Sequence, residues 1–483
     1  MPTACRAKRT AASSPPGTTA AAGRRPRFGD VRRTEYAQLG LLLLAWLVLG
    51  ALFAVRTPVW QAPDEPAHYN YVRQLAGGAL PVIEPGDWDQ AYLSQIVGAE
   101  FDPAYPVAGI TYEDWQPPLY YLLQLPVYRL SGGSLAAMRL LSVVLGAGVV
   151  ALAYWVGRCV FDGNVPFALG VAAFVAFLPQ HLAILGSVNN DSLAELVIAA
   201  ILALLVTAWP ERPATGRLLT LGVLLGLGFL TKATAYLMAP VVGVFLLARW
   251  WPRPGGSSFA GLTRALLLVF GPALLLGLLW WGRNLMVYGG LDVLAKAAHD
   301  AVVVGQPRTA EWIAQYGAGG TLGRFLRTTF VSFWGQFGWM AAPLPGWMVA
   351  LLAAMTVAAI AGLIANTRYE IRNTKEGAPL VSRISYLVSP ASLRVLVLGL
   401  TFLLTLCLHI YYNLTFVQHQ GRYLFPALIP IAVGFTAGLG HWLRPLVQRR
   451  AWVAWLLPVG FAVLLGGIAL FALWRIVPGL APG

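Results

Sequence analysis

Charge is what this sequence has least of. Only 11% of its 483 residues are Asp, Glu, Lys or Arg, where a soluble chain carries about a quarter. That shortage excludes a solvated globular surface. Cysteine is nearly absent: Cys5, Cys159 and Cys407 lie far apart, the last two in or beside apolar segments, so neither a disulfide framework nor a zinc site is suggested. What fills the chain is apolar. Hydrophobic residues make up 58% and the mean hydropathy is +0.65. The composition is that of an all-α polytopic membrane protein.

The net charge of +14 is unevenly spread. Residues 1–33 hold eight bases (Arg6, Lys8, Arg9, Arg24, Arg25, Arg27, Arg32, Arg33) against Asp30, so half of the excess lies there. Rich in Ala, Ser, Pro and Gly, without apolar periodicity, residues 1–34 read as a disordered cytoplasmic tail drawn to anionic lipid, not to nucleic acid. The first apolar run comes too late for a cleavable signal peptide, and no small-residue cleavage site follows it.

Apolar runs recur at about 38–55, 135–156, 165–185, 193–209, 218–230, 233–247, 265–281, 347–364, 395–411, 423–439 and 451–474, giving about eleven spans in residues 35–483. The pair across 218–247 is short. Alternating crossings from a cytoplasmic tail place Arg158, Arg212, Arg217, Arg249, Arg253, Arg264, Arg368, Arg372, Lys375, Arg383, Arg394, Arg444, Arg449 and Arg450 inside, as the positive-inside rule requires. Two long loops, 56–117 and 283–345, then lie outside. Phe, Trp and Arg alternate through Thr321–Met340 of the second, in a pattern suited to a helix along the membrane surface.

The densest chemistry follows the first span. Pro63-Asp64-Glu65-Pro66 leads directly into Ala67-His68-Tyr69. Two carboxylates where a helix leaves lipid are costly unless they face water or a cavity, although they could simply stop one helix and cap the next. From Gln61 to Pro117 nine acids stand against Arg73, among aromatics such as Trp60, Tyr69, Trp88, Tyr112 and Trp115. Acids with ring faces suit sugar hydroxyls and C–H surfaces; an interfacial aromatic belt would use the same residues. Glu113, Asp114 and Gln116 precede Pro117-Pro118-Leu119-Tyr120-Tyr121, where two prolines fix the turn into a Tyr-rich helix. They either line a pocket or only make that turn. Asp191, after Asn189-Asn190, reads first as a helix N-cap accepting backbone N–H groups, with a second possible place beside ligand. His68 has no second His at ligand spacing, so no metal is expected. Asn413-Leu414-Thr415 fits a glycosylation sequon of low specificity.

Three cations break the positive-inside trend. Lys232 lies in Gly228-Phe229-Leu230-Thr231-Lys232, Arg283 in Trp280-Trp281-Gly282-Arg283-Asn284, and Arg422 in Gln420-Gly421-Arg422-Tyr423-Leu424. Singly each is a snorkelling anchor. Together, on the face that carries the acids, they point to a lipid phosphate whose tail stays in the bilayer.

The acid pair, Gln116-Pro117-Pro118-Leu119-Tyr120-Tyr121, Thr231-Lys232, Arg283-Asn284 and Gln420-Gly421-Arg422 together resemble the GT-C superfamily of membrane glycosyltransferases. The similarity is to the branch of protein mannosyltransferases (glycosyltransferase family 39) and aminoarabinose transferases, and to a bacterial membrane-protein family with an acid pair and a nearby His. The resemblance implies a GT-C-like helical bundle whose two long outer loops carry amphipathic helices. It implies Asp64 as catalytic base with Glu65 its neighbour, and Lys232, Arg283 and Arg422 around a lipid phosphate. His68, Tyr69, Glu113, Asp114, Gln116 and Asp191 would line the substrate pocket. The aminoarabinose branch carries an acid and a Lys where this chain has Trp115 and Gln116, so its substrates are not carried over.

The expected activity is transfer of a sugar from a polyprenyl-phosphate donor to an extracytoplasmic hydroxyl of a glycan, lipid or protein, in the plasma membrane. No cofactor is implied, and a divalent ion is left open. One base without a carboxylate nucleophile predicts inversion, and a carboxylate at a dry boundary should have a raised pKa. The rivals are a transporter or lipid flippase, against which no two-fold repeat is visible, and a non-catalytic envelope assembly protein.

Overall fold

The structure is a computed structural model; it describes residues 33–210, 213–250, 259–375 and 390–482. The basic tail up to residue 32 lies outside the described residues, as do Arg212, Arg253 and Arg383 of the expected inner loops.

Helix follows helix. α1 (Arg33–Arg56) is the first apolar run; α2 (Glu65–Ala76), α3 (Gln90–Gly98) and α4 (Leu119–Ser131) belong to the segment after it. Then come α5 (Leu135–Val160), α6 (Val165–Phe177), α7 (Pro179–Leu185), α8 (Asp191–Val206), α9 (Thr215–Phe229), α10 (Met238–Trp250) and α11 (Phe259–Tyr288). α12 (Lys296–Val302) and α13 (Thr309–Trp334) precede a two-residue hairpin pair, β1 (Gln336–Phe337) with β2 (Ala342–Pro343). α14 (Gly346–Lys375), α15 (Pro390–Asn413), α16 (Leu428–Arg449) and α17 (Leu456–Phe471) complete the bundle.

Among the described residues eight helices are long and apolar enough to cross a bilayer, and nine if α6 and α7 form one broken span bent by 61°. The expected count of about eleven is not reached. The two remaining candidates, α8 and α9, are 16 and 15 residues long, short of the roughly 20 that a bilayer core requires. The break between α6 and α7 falls at Leu178-Pro179, because proline has no N–H and its ring clashes with the preceding turn. His181 Nδ1 meets the Val175 carbonyl that the break frees, at 2.9 Å.

Small residues let helices approach where lipid offers no hydrophobic gain. A Cβ on Gly362 of α14 would collide with the Gly438 carbonyl of α16. Trp46 of α1 donates its indole N–H to Val143 O of α5 at 2.9 Å.

The first long loop builds a satellite core of its own. Ala67, Ile83, Ile96, Phe101, Ile110, Tyr112 and Val303 are buried together, flanked by Trp60, Trp88 and Trp339. Trp88 meets Tyr112 edge-on at 5.0 Å and donates to Val304 O at 2.6 Å. The loop's aromatics therefore hold it in shape. In the second loop the helix is α13, which starts twelve residues earlier than the sequence pattern and ends before the hairpin; it kinks at Gly317 (φ 72°).

Candidate active site

The site begins with backbone geometry. Asp64 sits in the left-handed region (φ 67°, ψ −5°) immediately before α2. Asp tolerates that conformation better than most residues, and non-glycine residues held there cluster at functional sites. Its carboxylate does not cap α2. One oxygen accepts from Tyr112 Oη at 2.8 Å, and the other forms an ion pair with Arg422.

Arg422 is delivered by the turn Gly421–Ala427 that opens α16. Only glycine fits before it: a Cβ on Gly421 would collide with the backbone of Phe333 and Thr329 in α13. Gly421 N also donates to Ser332 Oγ at 2.8 Å. This turn is thus clamped against α13, and the buried guanidinium points at Asp64.

A second ion pair stands nearby. Lys232 Nζ meets Asp191 Oδ1 at 2.6 Å, joining the turn after α9 to the first residue of α8. The expected N-cap role of Asp191 is corrected here. The cap position belongs to Asn190, and Asp191 N is met by Asn189 Oδ1 at 2.9 Å. The carboxylate itself is taken by Lys232.

His68 connects the two pairs. It is buried, and its Nδ1 lies 2.8 Å from Tyr121 Oη, which Asn190 Nδ2 also approaches at 3.4 Å. Burial first, then the positive charge of Lys232, lower its pKa to about 3; Asp64, Asp191 and Arg422 all act on it as well. Residues from five distant segments thus converge in one buried polar cluster, the chamber.

The acids in it have diverged. Burial alone would raise Asp64, but the Arg422 charge and the bonds from Arg422 and Tyr112 outweigh it and hold the group at about 2. The expectation of a raised Asp64 pKa is therefore overturned: an adjacent cation wins over desolvation. Glu113 goes the other way, to about 7, through burial and then the neighbouring charge of Asp64. Asp114 rises to about 8, chiefly by burial, despite accepting from Gln74 Nε2 at 2.7 Å.

Other expected site residues have structural partners. Glu65 is fully buried and gripped by Arg139, Nε to Oε1 at 2.7 Å and Nη2 to Oε2 at 2.6 Å, while Val188 N donates to Oε1 at 3.0 Å. The same guanidinium donates to the carbonyls of Ala54 (2.9 Å), Thr57 (2.7 Å) and Pro58 (3.1 Å) at the end of α1. Tyr69 donates to Gly133 O at 2.9 Å. The backbone carbonyl of Gln116 accepts from Tyr71 Oη at 3.0 Å. Arg283 donates to Asn284 Oδ1 (3.1 Å), Tyr288 Oη (3.3 Å) and the Pro81 carbonyl, so its hydrogen bonds tie α11 to the first loop and not to Asp64 or Asp191.

Sequence reasoning did not single out Tyr112 or Arg139 for the site. Arg139 had a signal: it is a charge four residues inside an apolar helix, which by default needs a partner. Tyr112 had only its adjacency to Glu113. Several atoms in and beside the chamber are sealed from solvent with no hydrogen-bond partner among the described residues: Glu113 Oε2, Asp114 Oδ1, Gln116 Oε1, Asn189 Nδ2, Asn190 Oδ1 and Arg422 Nε. Such groups are costly unless a ligand or water meets them. Among the described residues no group of three or more His, Cys, Asp or Glu side chains could hold a metal ion.

The family model for dolichyl-phosphate-mannose-protein mannosyltransferase matches residues 115–281. The fold is similar to that of ArnT from Cupriavidus metallidurans, in its apo state (15% identity, TM-score 0.51, covering 92% of this chain and 74% of that one) and bound to undecaprenyl phosphate (14%, 0.50, 93% and 74%). The likeness to the ArnT structures is one of fold, and the family model covers about a third of the chain. A further match, the S. cerevisiae protein O-mannosyltransferase Pmt1-Pmt2 complex bound to the sugar donor, has 18% identity and a TM-score of 0.41 over 53% of this chain, which spans 34% of that chain's length. No curated protein matches the sequence.

Proposed function

We propose that this glycosyltransferase moves a sugar from a polyprenyl-phosphate donor to an acceptor hydroxyl, on the face of the membrane opposite its basic loops. The observation that carries this reading is the pairing of Asp64 with Arg422 beside Asp191 with Lys232, two cations and their carboxylates around the buried His68. Two cations at the end of a helical bundle suit a phosphate whose prenyl tail lies in lipid.

The paired state has a chemical consequence. Held by Arg422, Asp64 is a weak base. A donor phosphate competes for Arg422 and Lys232, and as Arg422 turns towards it the Asp64 carboxylate loses the charge that depresses its pKa. Donor binding thereby creates the base that takes the acceptor proton. The freed cations stabilise charge developing on the leaving phosphate. Attack on the anomeric carbon from the face opposite the phosphate gives inversion. Glu65 supports this from behind: with Arg139 it fixes the end of α1 and the residue next to Asp64. Arg283 anchors the first loop to α11.

Membranes containing the protein, supplied with labelled prenyl-phosphate sugars, test the reading. An enzyme releases free prenyl phosphate. Movement of the intact lipid without release would identify a flippase, and neither outcome would leave an assembly protein.

A further inference from the structure

Three carboxyls, Asp64, Asp191 and Glu113, stand around two cations, Arg422 and Lys232, while a fourth acid, Asp114, is held by Gln74 Nε2 at 2.7 Å. Arg422 is paired with Asp64 and Lys232 with Asp191. Glu65 and Arg139 neutralise each other beneath. Glu113 is left over. Among the described residues no cation stands within ion-pair distance of it; the Gln116 side chain hydrogen-bonds the carboxyl, yet its Oε2 is sealed from solvent without a partner. It still belongs to the chamber: the residue before it, Tyr112, donates to Asp64 at 2.8 Å, and Asp64, Lys232 and Arg422 all act on it.

A bound phosphodiester adds a further negative charge. Three ionised carboxylates and a phosphate against two cations is a costly arrangement in a dry site. The mismatch closes if one acid carries a proton. Before the donor arrives Asp64 and Asp191 are each ion-paired with a cation and Glu113 is not, so it is the acid nearest to taking the proton. We propose that Glu113 is a donor-binding residue that enters the complex as the neutral acid, its O–H donating to a phosphate oxygen, so that each donor bound takes up one proton from solvent. This rests on the reading of the chamber as a phosphate site and adds the charge state in which it works. Glu113 on its own lies at about 7 through burial and the nearby Asp64 charge, so an added anion brings the proton on within the neutral range.

The other groups that face Glu113 do not supply this proton. His68 is depressed to about 3 by burial and by Lys232, so it stays neutral. Tyr112 is raised by burial and by Asp64, and keeps its proton. Tyr121 and Tyr412 also sense Glu113, and Tyr423 lies beside Arg422. Gln116 does not titrate. The one competitor is Asp114, raised to about 8 by burial, with its own unpartnered oxygen.

The test uses a prenyl phosphodiester, farnesyl methyl phosphate, whose single charge is fixed across neutral pH. Its affinity for the purified full-length protein is measured across neutral to mildly alkaline pH, and proton uptake is read by calorimetry in buffers of different ionisation heat. The expected result is affinity that falls about tenfold per pH unit above about 7, with close to one proton taken up on the alkaline side. Glu113→Gln, neutral at every pH and still a donor, should bind with no pH dependence and no proton uptake; Asp114→Asn should keep the wild-type pattern. Wild-type affinity independent of pH overturns the proposal without any variant. So does proton uptake that survives in Glu113→Gln, or that vanishes only in Asp114→Asn. Absence of binding at every pH instead removes the phosphate site, and this proposal with it.

Discussion

Asp64 and Arg422 stand 358 residues apart in the chain and share a largely buried ion pair. One is held by a left-handed backbone before α2, the other by a turn clamped to α13. The pairing holds Asp64 ionised, and in the proposed reaction its breaking is what makes Asp64 a base.

Removing the cation should therefore change the pH dependence of the reaction. In Arg422→Gln the burial of Asp64 is no longer opposed, so its pKa rises above the wild-type value of about 2. The acid must be ionised to accept a proton. Activity of the variant should consequently be lost at a higher pH on acidification than in the wild type, alongside a lower maximal rate. An acid limb that does not move would separate Asp64 from Arg422 functionally.

Lys232→Ala should weaken binding of undecaprenyl phosphate by about 10- to 100-fold, the worth of a charge-assisted hydrogen bond, while Arg283→Ala should affect it less. The reason is positional: Lys232 shares the chamber with His68, whereas Arg283 is engaged with Pro81, Asn284 and Tyr288. Equal losses in both variants, measured by direct titration, would contradict this division.

Arg139→Met should destabilise the fold by about 3–5 kcal/mol, because it strands the buried Glu65 carboxylate and frees three carbonyls at the end of α1. Adding Glu65→Leu should restore much of that loss, since apolar replacement of a whole buried pair is often neutral. Thermal unfolding in detergent checks both steps; a double variant no better than the single one would mean that the carbonyls dominate.

Gly421→Ala should impair transfer without disturbing Lys232–Asp191. The added methyl meets the α13 backbone and displaces the turn that carries Arg422. Donor affinity and turnover should both fall, and crosslinking between α8 and the turn after α9 should be unchanged.

Much of this was legible before any coordinates. Composition pointed to the membrane class, and the places of Asp64, Lys232 and Arg422 at the ends of apolar runs marked three residues that converge, whereas Arg283, marked with them, is engaged with Pro81, Asn284 and Tyr288. What could not be read was which acid pairs with which base. Asp64 and Glu65 are adjacent in sequence, yet a helix start sends their side chains to different neighbours, Arg422 for one and Arg139 for the other. Period and spacing carry no such information across hundreds of residues. The pKa of Asp64 went wrong for the same reason, because desolvation was visible in the sequence and the opposing guanidinium was not. The short α8 and α9 escaped a correct count since apolar length in sequence does not reveal where a helix breaks.

The central claim is that Asp64 drives sugar transfer in this chamber, and the most direct measurement compares wild type with Asp64→Asn for release of undecaprenyl phosphate from a labelled undecaprenyl-phosphate sugar. The wild type should release it with loss of the sugar to acceptor, and the variant should insert normally, bind the lipid and release nothing above background. Equal release by the two proteins would contradict the account.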